Sequence, residues 1–518
     1  MLFNSYGFIF LFMPLTLALF FLLARASHLL AAGWLACASL FFYAWWNPAY
    51  LGLLLASICF NYVFGVQIAK AVTHKHARKK PLLIFAITAN LALLGYYKYA
   101  NFFLTSVNSV AGTEWTLGNI ILPLGISFFT FTQIAFLVDT YQGKVKEYNF
   151  VHYGLFVTYF PHLIAGPVLH HKEMMPQFSH AATYRFNYEN VAVGLTIFFI
   201  GLFKKVVLAD GISVYVAPVF DAPAAGIELT MLEAWGGALC FALQLYFDFS
   251  GYSDMAIGLS RLFGVTLPLN FHSPYKAANI IEFWRHWHMT LSRFLRDYLY
   301  IPLGGNRKGP ARRYANLMIT MLLGGLWHGA GWTFVIWGGL HGCYLVINHA
   351  WHKLRSALGH NLARSTRLGR ALGMFITFLV VTLAWVFFRS DSSDHALAIA
   401  QAMLGINGVV LPDVWQVKWG TFGDWLAGQG VRFGNTGDLL PGGEINWIWI
   451  LLLVVWLAPN TQQIMANFKP ALDVPAESRA AKHLLWRPSA AAALLASLLG
   501  FIAIINLNKQ SAFLYFQF

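Results

Sequence analysis

Charge is scarce in this chain. Only 11% of its 518 residues are Asp, Glu, Lys or Arg, whereas 58% are hydrophobic. So few charges cannot cover a water-exposed surface, which excludes the several soluble domains that the length would otherwise imply. Acids are scarcer than bases, 21 against 35, giving a formal charge of +14. That excess is spread over loops rather than gathered in a stripe. It excludes nucleic acid as a partner and fits cytoplasmic loops facing anionic lipid. Cysteine is limited to Cys37, Cys59, Cys240 and Cys343, all in apolar stretches without metal-type spacing, and these read as small core residues. No Ser or Cys stands in a nucleophile elbow, no glycine-rich phosphate loop follows a strand, and no repeat is visible. What remains implies an all-α, polytopic integral membrane protein, a single membrane-embedded domain over residues 1–518.

The spans follow from hydropathy, because a bilayer core about 30 Å thick takes roughly 20 helical residues. The opening MLFNSYGFIFLFMPL lacks a cationic start and a cleavage site, which predicts an uncleaved first span over Phe8 to Leu23. Further apolar stretches run over Leu29 to Ala44, Leu51 to Ala69, Leu82 to Leu104, Ile120 to Val138, Phe150 to Leu169 and Val191 to Val207. Leu232 to Phe263 is too long for one untilted span and predicts a bend at FDFSGYSD. Leu372 to Phe388, Ile445 to Leu457 and Ser489 to Ile505 complete the set, with Leu411 to Glu444 as an outer-face loop. The total is roughly eleven spans plus re-entrant or interfacial pieces. The basic loop Lys70 to Lys80 marks the cytoplasmic side and places the N-terminus outside.

The chain is organised around Glu282 to Trp332. Phe283, Trp287, Leu291, Phe294 and Tyr298 recur at helical spacing, with Arg285, His288, Ser292 and Arg296 on another face, which predicts one amphipathic helix at the membrane surface. A basic run, Gly304 to Arg313, follows and should be cytoplasmic. The apolar run Ala315 to Trp327 is short of a span and meets His328 in a glycine-rich break, and a second basic loop begins at His352. With both basic flanks on one side, the segment enters and returns or crosses an even number of times, and either path places His328 deep in the membrane at a non-helical point. An ionisable residue there marks a functional site.

Other polar residues have plainer readings. His74, His76, His352 and His360 sit in basic loops, His170 and His171 read as interfacial, and His162 is a candidate for lining a polar cavity. His286 and His288 do not converge from one helix, and no metal site is expected. Asp248 and Asp254 lie in an apolar context and need partners, with Arg285, Arg296 and Arg307 as candidates. Gln133 and Asp139 are similarly placed.

WRHWHMTLSRFLRDYLYIPLGGNRKG, followed by LMITMLLGGLWHGAGWTFVIWGGLHG, resembles the membrane-bound O-acyltransferase family, in its bacterial polysaccharide-modifying branch. LPLGISFFTF, YFPHLIAGPV, GLFKKVVLAD, LYFDFSGYSDMAIG and the closing FLYFQF fit the same branch. The resemblance implies a bowl of tilted helices around a central tunnel, with the active-site core within residues 82–350. His328 would be the catalytic histidine and His288 the second active-site histidine. Arg285, Trp287, Asp248, Tyr246, Asp254, Asn306, Arg307 and Trp327 are the donor-binding or tunnel-lining candidates.

It further implies an O-acetyltransferase of the bacterial inner membrane with no permanently bound cofactor. Acetyl-CoA would be the donor, an extracytoplasmic polysaccharide (alginate, cellulose or peptidoglycan) the acceptor, and a periplasmic acetyltransferase the partner alongside membrane lipid. A D-alanyl transferase and a lipid or polysaccharide transporter are the alternatives. The single marked break at His328, without a matching one in the first half, favours the enzyme over a transporter.

Overall fold

The computed structural model describes residues 1–145, 148–164, 166–362, 366–434, 443–474, 482–507 and 514. Helices carry most of this chain. The described strands are Val410–Pro412 and Arg432–Gly434, paired in parallel. Among the described residues four helices are long and apolar enough to cross a bilayer: Pro48–Thr73, Lys79–Ala111, Tyr188–Ser213 and Arg367–Arg389. Phe8–Ala24, His28–Ala44, Gly443–Leu457 and Ala490–Ile505 are shorter apolar helices. All eight fall on stretches expected from hydropathy. Arg367–Arg389 shows why such a segment is a helix of this length. The Thr366 hydroxyl accepts from the Gly369 N–H at 3.0 Å, and 23 residues rise about 34 Å before Arg389 closes the last turn.

The chain divides into two compact units. The first comprises Met1–Phe203, Ser250–Asn270 and Asn460–Gln510. Lipid offers no hydrophobic gain to helices that associate within it, so small residues that permit close packing set the contacts. A Cβ on Gly201 would stand 2.6 Å from the Gly251 carbonyl oxygen, and one on Gly258 would stand 2.5 Å from that of Gly194. These glycines serve helix contact rather than a break. The expected bend at FDFSGYSD is accordingly absent, and Met231–Leu262 runs unbroken for 32 residues.

The stretch Phe150 to Leu169 does not form one continuous helix. Its helix stops at Thr158, a single turn Phe160–Leu163 follows, and the chain doubles back so closely that a Cβ on Gly166 would lie 2.3 Å from the His162 Cα. His170 and His171 are buried rather than interfacial. His171 Nδ1 lies 3.1 Å from a carboxylate oxygen of Asp139, the partner that a buried acid requires. Gln133 donates to the Ser57 hydroxyl at 2.9 Å and accepts from the Tyr153 hydroxyl at 3.1 Å.

The second unit comprises Lys204–Phe249, Phe271–Pro459 and Ser511–Phe518. Its centre is a helical hairpin, Gly309–His328 and Trp332–Ala357. A Cβ on Gly325 would stand 2.2 Å from the Phe334 carbonyl oxygen, and one on Gly338 would stand 2.3 Å from that of Met321, so only glycine lets the two backbones meet. The expected outer loop Leu411 to Glu444 holds two short helices, Asp413–Trp419 and Thr421–Gly428, beside the strand pair. Its residues 435–442 lie outside the described residues, as does the closing FLYFQF except Leu514. Of the cysteines only Cys240 is buried; Cys37, Cys59 and Cys343 are exposed on helix flanks, where a small apolar thiol is compatible with lipid.

Candidate active site

His328 is the last residue of Gly309–His328, so the break begins one residue later than the sequence implied, at Gly329. Both arms of the hairpin crowd that turn. A Cβ on Gly329 would fall 2.1 Å from the Phe334 ring, which fixes the backbone around the histidine. The His328 side chain is buried.

The expected amphipathic helix over Phe283 to Tyr298 is broken in two, Ile280–His286 and Met289–Leu295, with a π turn at Arg296–Tyr300. The first piece opens on a side-chain cap: Asn279 accepts from the Glu282 N–H at 2.9 Å, and the Glu282 carboxylate accepts from the N–H of Ala278, just before the cap, at 2.9 Å. It ends because the His286 carbonyl accepts from the His272 N–H at 3.0 Å and Trp287 is extended. His288 then takes φ 43° and ψ 52°, the left-handed region, and its carbonyl accepts from the Ser292 N–H at 2.9 Å to start the second piece. A non-glycine residue held there costs about 1–3 kcal/mol. The strained turn rotates the imidazole off the outer face and into the unit, where His288 is 0% exposed.

This turn and the hairpin bring the two histidines together, with ring centroids 6.3 Å apart at 62°. Trp327 stands 5.0 Å from His328 and 6.3 Å from His288. Trp337 and Phe388 close on His328 at 5.1 and 5.3 Å. Phe249 meets His288 edge-on at 4.9 Å, and Phe271 at 6.3 Å. Behind them Trp385 stacks on Trp337 at 5.5 Å and touches Trp287 at 5.0 Å. The result is an aromatic enclosure of low polarity around two imidazoles. Such a site suits proton transfer or nucleophilic attack on an acyl group.

The other candidates are placed less uniformly. Trp287 and Trp327 line the enclosure, and Tyr246 reaches it through Phe271 at 6.4 Å. Arg285, Asn306 and Arg307 are exposed, the latter two in the turn before Gly309, where Asn306 accepts from the Tyr300 hydroxyl. None of the three arginines proposed as partners holds the buried acids. Asp248 pairs with Lys205 at 2.7 Å and accepts from the Leu514 N–H at 3.2 Å, and Lys205 also holds Asp210 at 2.7 Å. Arg296 instead pairs with its neighbour Asp297 at 2.7 Å. Asp254 belongs to the first unit, where it accepts from Thr461 at 2.6 Å and Gln462 at 2.9 Å. His162 belongs to that unit as well.

Sequence reasoning missed His341. It is fully buried one turn beyond Trp337, 4.8 Å from that ring and 5.1 Å from Trp284. The i, i+4 spacing from Trp337 was the available signal. Among the described residues no cluster of three or more His, Cys, Asp or Glu could hold a metal.

The chain matches the membrane-bound O-acyltransferase family over residues 17–389. It is 41% identical to a peptidoglycan O-acetyltransferase of Helicobacter pylori, covering 100% of this chain and 98% of the relative. It is 43% identical to a probable alginate O-acetylase of Azotobacter vinelandii over 80% of each chain. A probable alginate O-acetylase of Pseudomonas aeruginosa is 38% identical over 100% of both. With a family match across most of the chain and full-length relatives named for acyl transfer, the chain belongs to the membrane-bound O-acyltransferase family and is an acyltransferase.

Proposed function

We propose that the protein takes an acetyl group from a cytoplasmic thioester, acetyl-CoA, and passes it across the bacterial inner membrane for O-acetylation of an extracytoplasmic polysaccharide. The observation that carries this reading is the His288–His328 pair, 6.3 Å between ring centroids inside an aromatic enclosure. The names of the full-length relatives support the acetyl group and a cell-envelope polymer as acceptor. Roughly eleven membrane crossings would hold His328 midway, open to donor from one side and acceptor from the other.

His328 acts as general base. A neutral ring nitrogen takes the proton of an acceptor hydroxyl while that oxygen attacks the thioester carbonyl. Collapse of the tetrahedral intermediate breaks the C–S bond, and the imidazolium returns its proton to the leaving thiolate. This role is worth about 10²–10⁴-fold. In a relay form the ring nitrogen itself attacks, the thiol leaves, and the acetyl-imidazole passes its acetyl group to a hydroxyl of a periplasmic partner. His288 orients the acyl carbonyl. The cations from Arg307 to Arg313 draw in the phosphates of coenzyme A.

The test is complementation of a deletion strain with wild type or His328→Ala, followed by measurement of base-labile acetate on isolated peptidoglycan and exopolysaccharide. Wild type restores acetate to one polymer, and the variant falls at least about 100-fold short. Undiminished acetylation by the variant would overturn both mechanisms. Ester-linked D-alanine in place of acetate would reassign the acyl group.

A further inference from the structure

The second unit holds a cavity of about 270 Å³ that shares no residue with the histidine enclosure. Its walls are mostly apolar, with the indoles of Trp235, Trp415 and Trp449, yet they include two carboxylates, Glu233 and Glu444. Glu444 is 3% exposed, and among the described residues its Oε2 has no hydrogen-bond partner. Glu233 directs Oε2 to the Thr230 N–H at 2.9 Å and hydroxyl at 2.7 Å. Among the described residues neither glutamate forms an ion pair. Each stands in the first turn of its helix, Met231–Leu262 and Gly443–Leu457. A helix N-terminus favours an acid there, but it explains neither the cavity nor a buried oxygen left without a donor.

We propose that this cavity binds the primary ammonium of an aminophospholipid, phosphatidylethanolamine. Two carboxylates among indole faces attract a cation and repel an anionic headgroup. The unpartnered oxygen needs an N–H donor, which a primary ammonium supplies and the quaternary ammonium of phosphatidylcholine does not. The volume is below that of most whole-ligand sites and suits a headgroup. A route for the acyl chain is also present. Ile445, Trp449, Leu453 and Leu457, each four residues apart, are 39, 63, 55 and 74% exposed and make an apolar stripe descending from Glu444. The ends of apolar helices lie at headgroup level.

The full-length protein in nanodiscs of phosphatidylglycerol, with one-tenth phosphatidylethanolamine or phosphatidylcholine of matched chains, tests this by native mass spectrometry of retained lipid. Wild type should retain at least tenfold more phosphatidylethanolamine than phosphatidylcholine, and Glu444→Gln should lower that ratio at least tenfold. Trp415→Leu is the second variant, expected to lower it as well if Glu444→Gln does not fold. Equal retention of the two lipids by wild type, or a ratio unchanged in the folded variants, would overturn the assignment.

Discussion

The ammonium of Lys205 lies 2.7 Å from a carboxylate oxygen of Asp248, although the two are 43 positions apart in the chain. The same nitrogen holds Asp210 at 2.7 Å, and all three side chains are almost wholly buried. Replacing Lys205 by Met therefore strands two carboxylates, and losing one partner of a buried pair costs about 3–5 kcal/mol. Detergent-solubilised Lys205→Met should melt well below wild type in a thermal scan. Lys205→Met with Asp210→Asn and Asp248→Asn should recover much of the loss.

The left-handed backbone of His288 separates the fold of the turn from the work of its ring. Asn tolerates that conformation better than most residues. His288→Asn should keep its thermal midpoint within a few degrees of wild type while acetyl transfer falls by about 10–100-fold. His288→Val, β-branched at positive φ, should lose stability as well. Melting curves and acetyl-CoA turnover on the same preparations distinguish the two effects.

Gly338 and Gly339 are neighbours with opposite tolerance. A Cβ on Gly338 would meet the Met321 carbonyl at 2.3 Å, whereas one on Gly339 would meet only the flexible Leu322 side chain at 3.5 Å. Gly338→Ala must push the hairpin arms apart, destabilising by about 1–3 kcal/mol and displacing His328. Gly339→Ala should be neutral. Expression level and activity of the two variants measure the contrast.

His272 lies outside the spanning helices, next to Phe271 of the enclosure. Burial, with the nearby positive charges of His286 and Lys276, pushes its imidazole down to about 4. An unfolded histidine titrates near 6.5, so the unfolded chain binds this proton first as pH falls. The stability contributed by the neutral ring is complete above about 6.5 and is lost progressively between 6.5 and 4. The thermal midpoint of wild type should fall across that window. His272→Asn should flatten the decline.

Hydropathy located the stretches that form the eight apolar helices, though Lys79–Ala111 and Tyr188–Ser213 run beyond the expected ends, because bilayer thickness sets their length and composition. His328 was legible for the same reason, an ionisable group beside a glycine-rich break in an apolar run. The split at His288 was not. Phe283, Trp287 and Leu291 keep helical spacing through it, and the break depends on the backbone of His272, sixteen residues earlier in sequence. The pairing of Asp248 with Lys205 also escaped, since composition shows that a buried acid needs a partner but not which cation arrives. The length of Leu232 to Phe263 read as a bend at FDFSGYSD, whereas Gly251 there marks close helix contact, and that distinction lies wholly in the neighbouring helix.

Cys37, Cys59 and Cys343 project outward from apolar helices. They give the wild-type chain natural depth gauges. A spin label on Cys343, two residues beyond His341 on the returning arm of the hairpin, reports through its accessibility to dissolved oxygen and to water-borne nickel complexes how far below the headgroups that arm sits. The immersion of the histidine pair can thus be read without altering any residue that surrounds it.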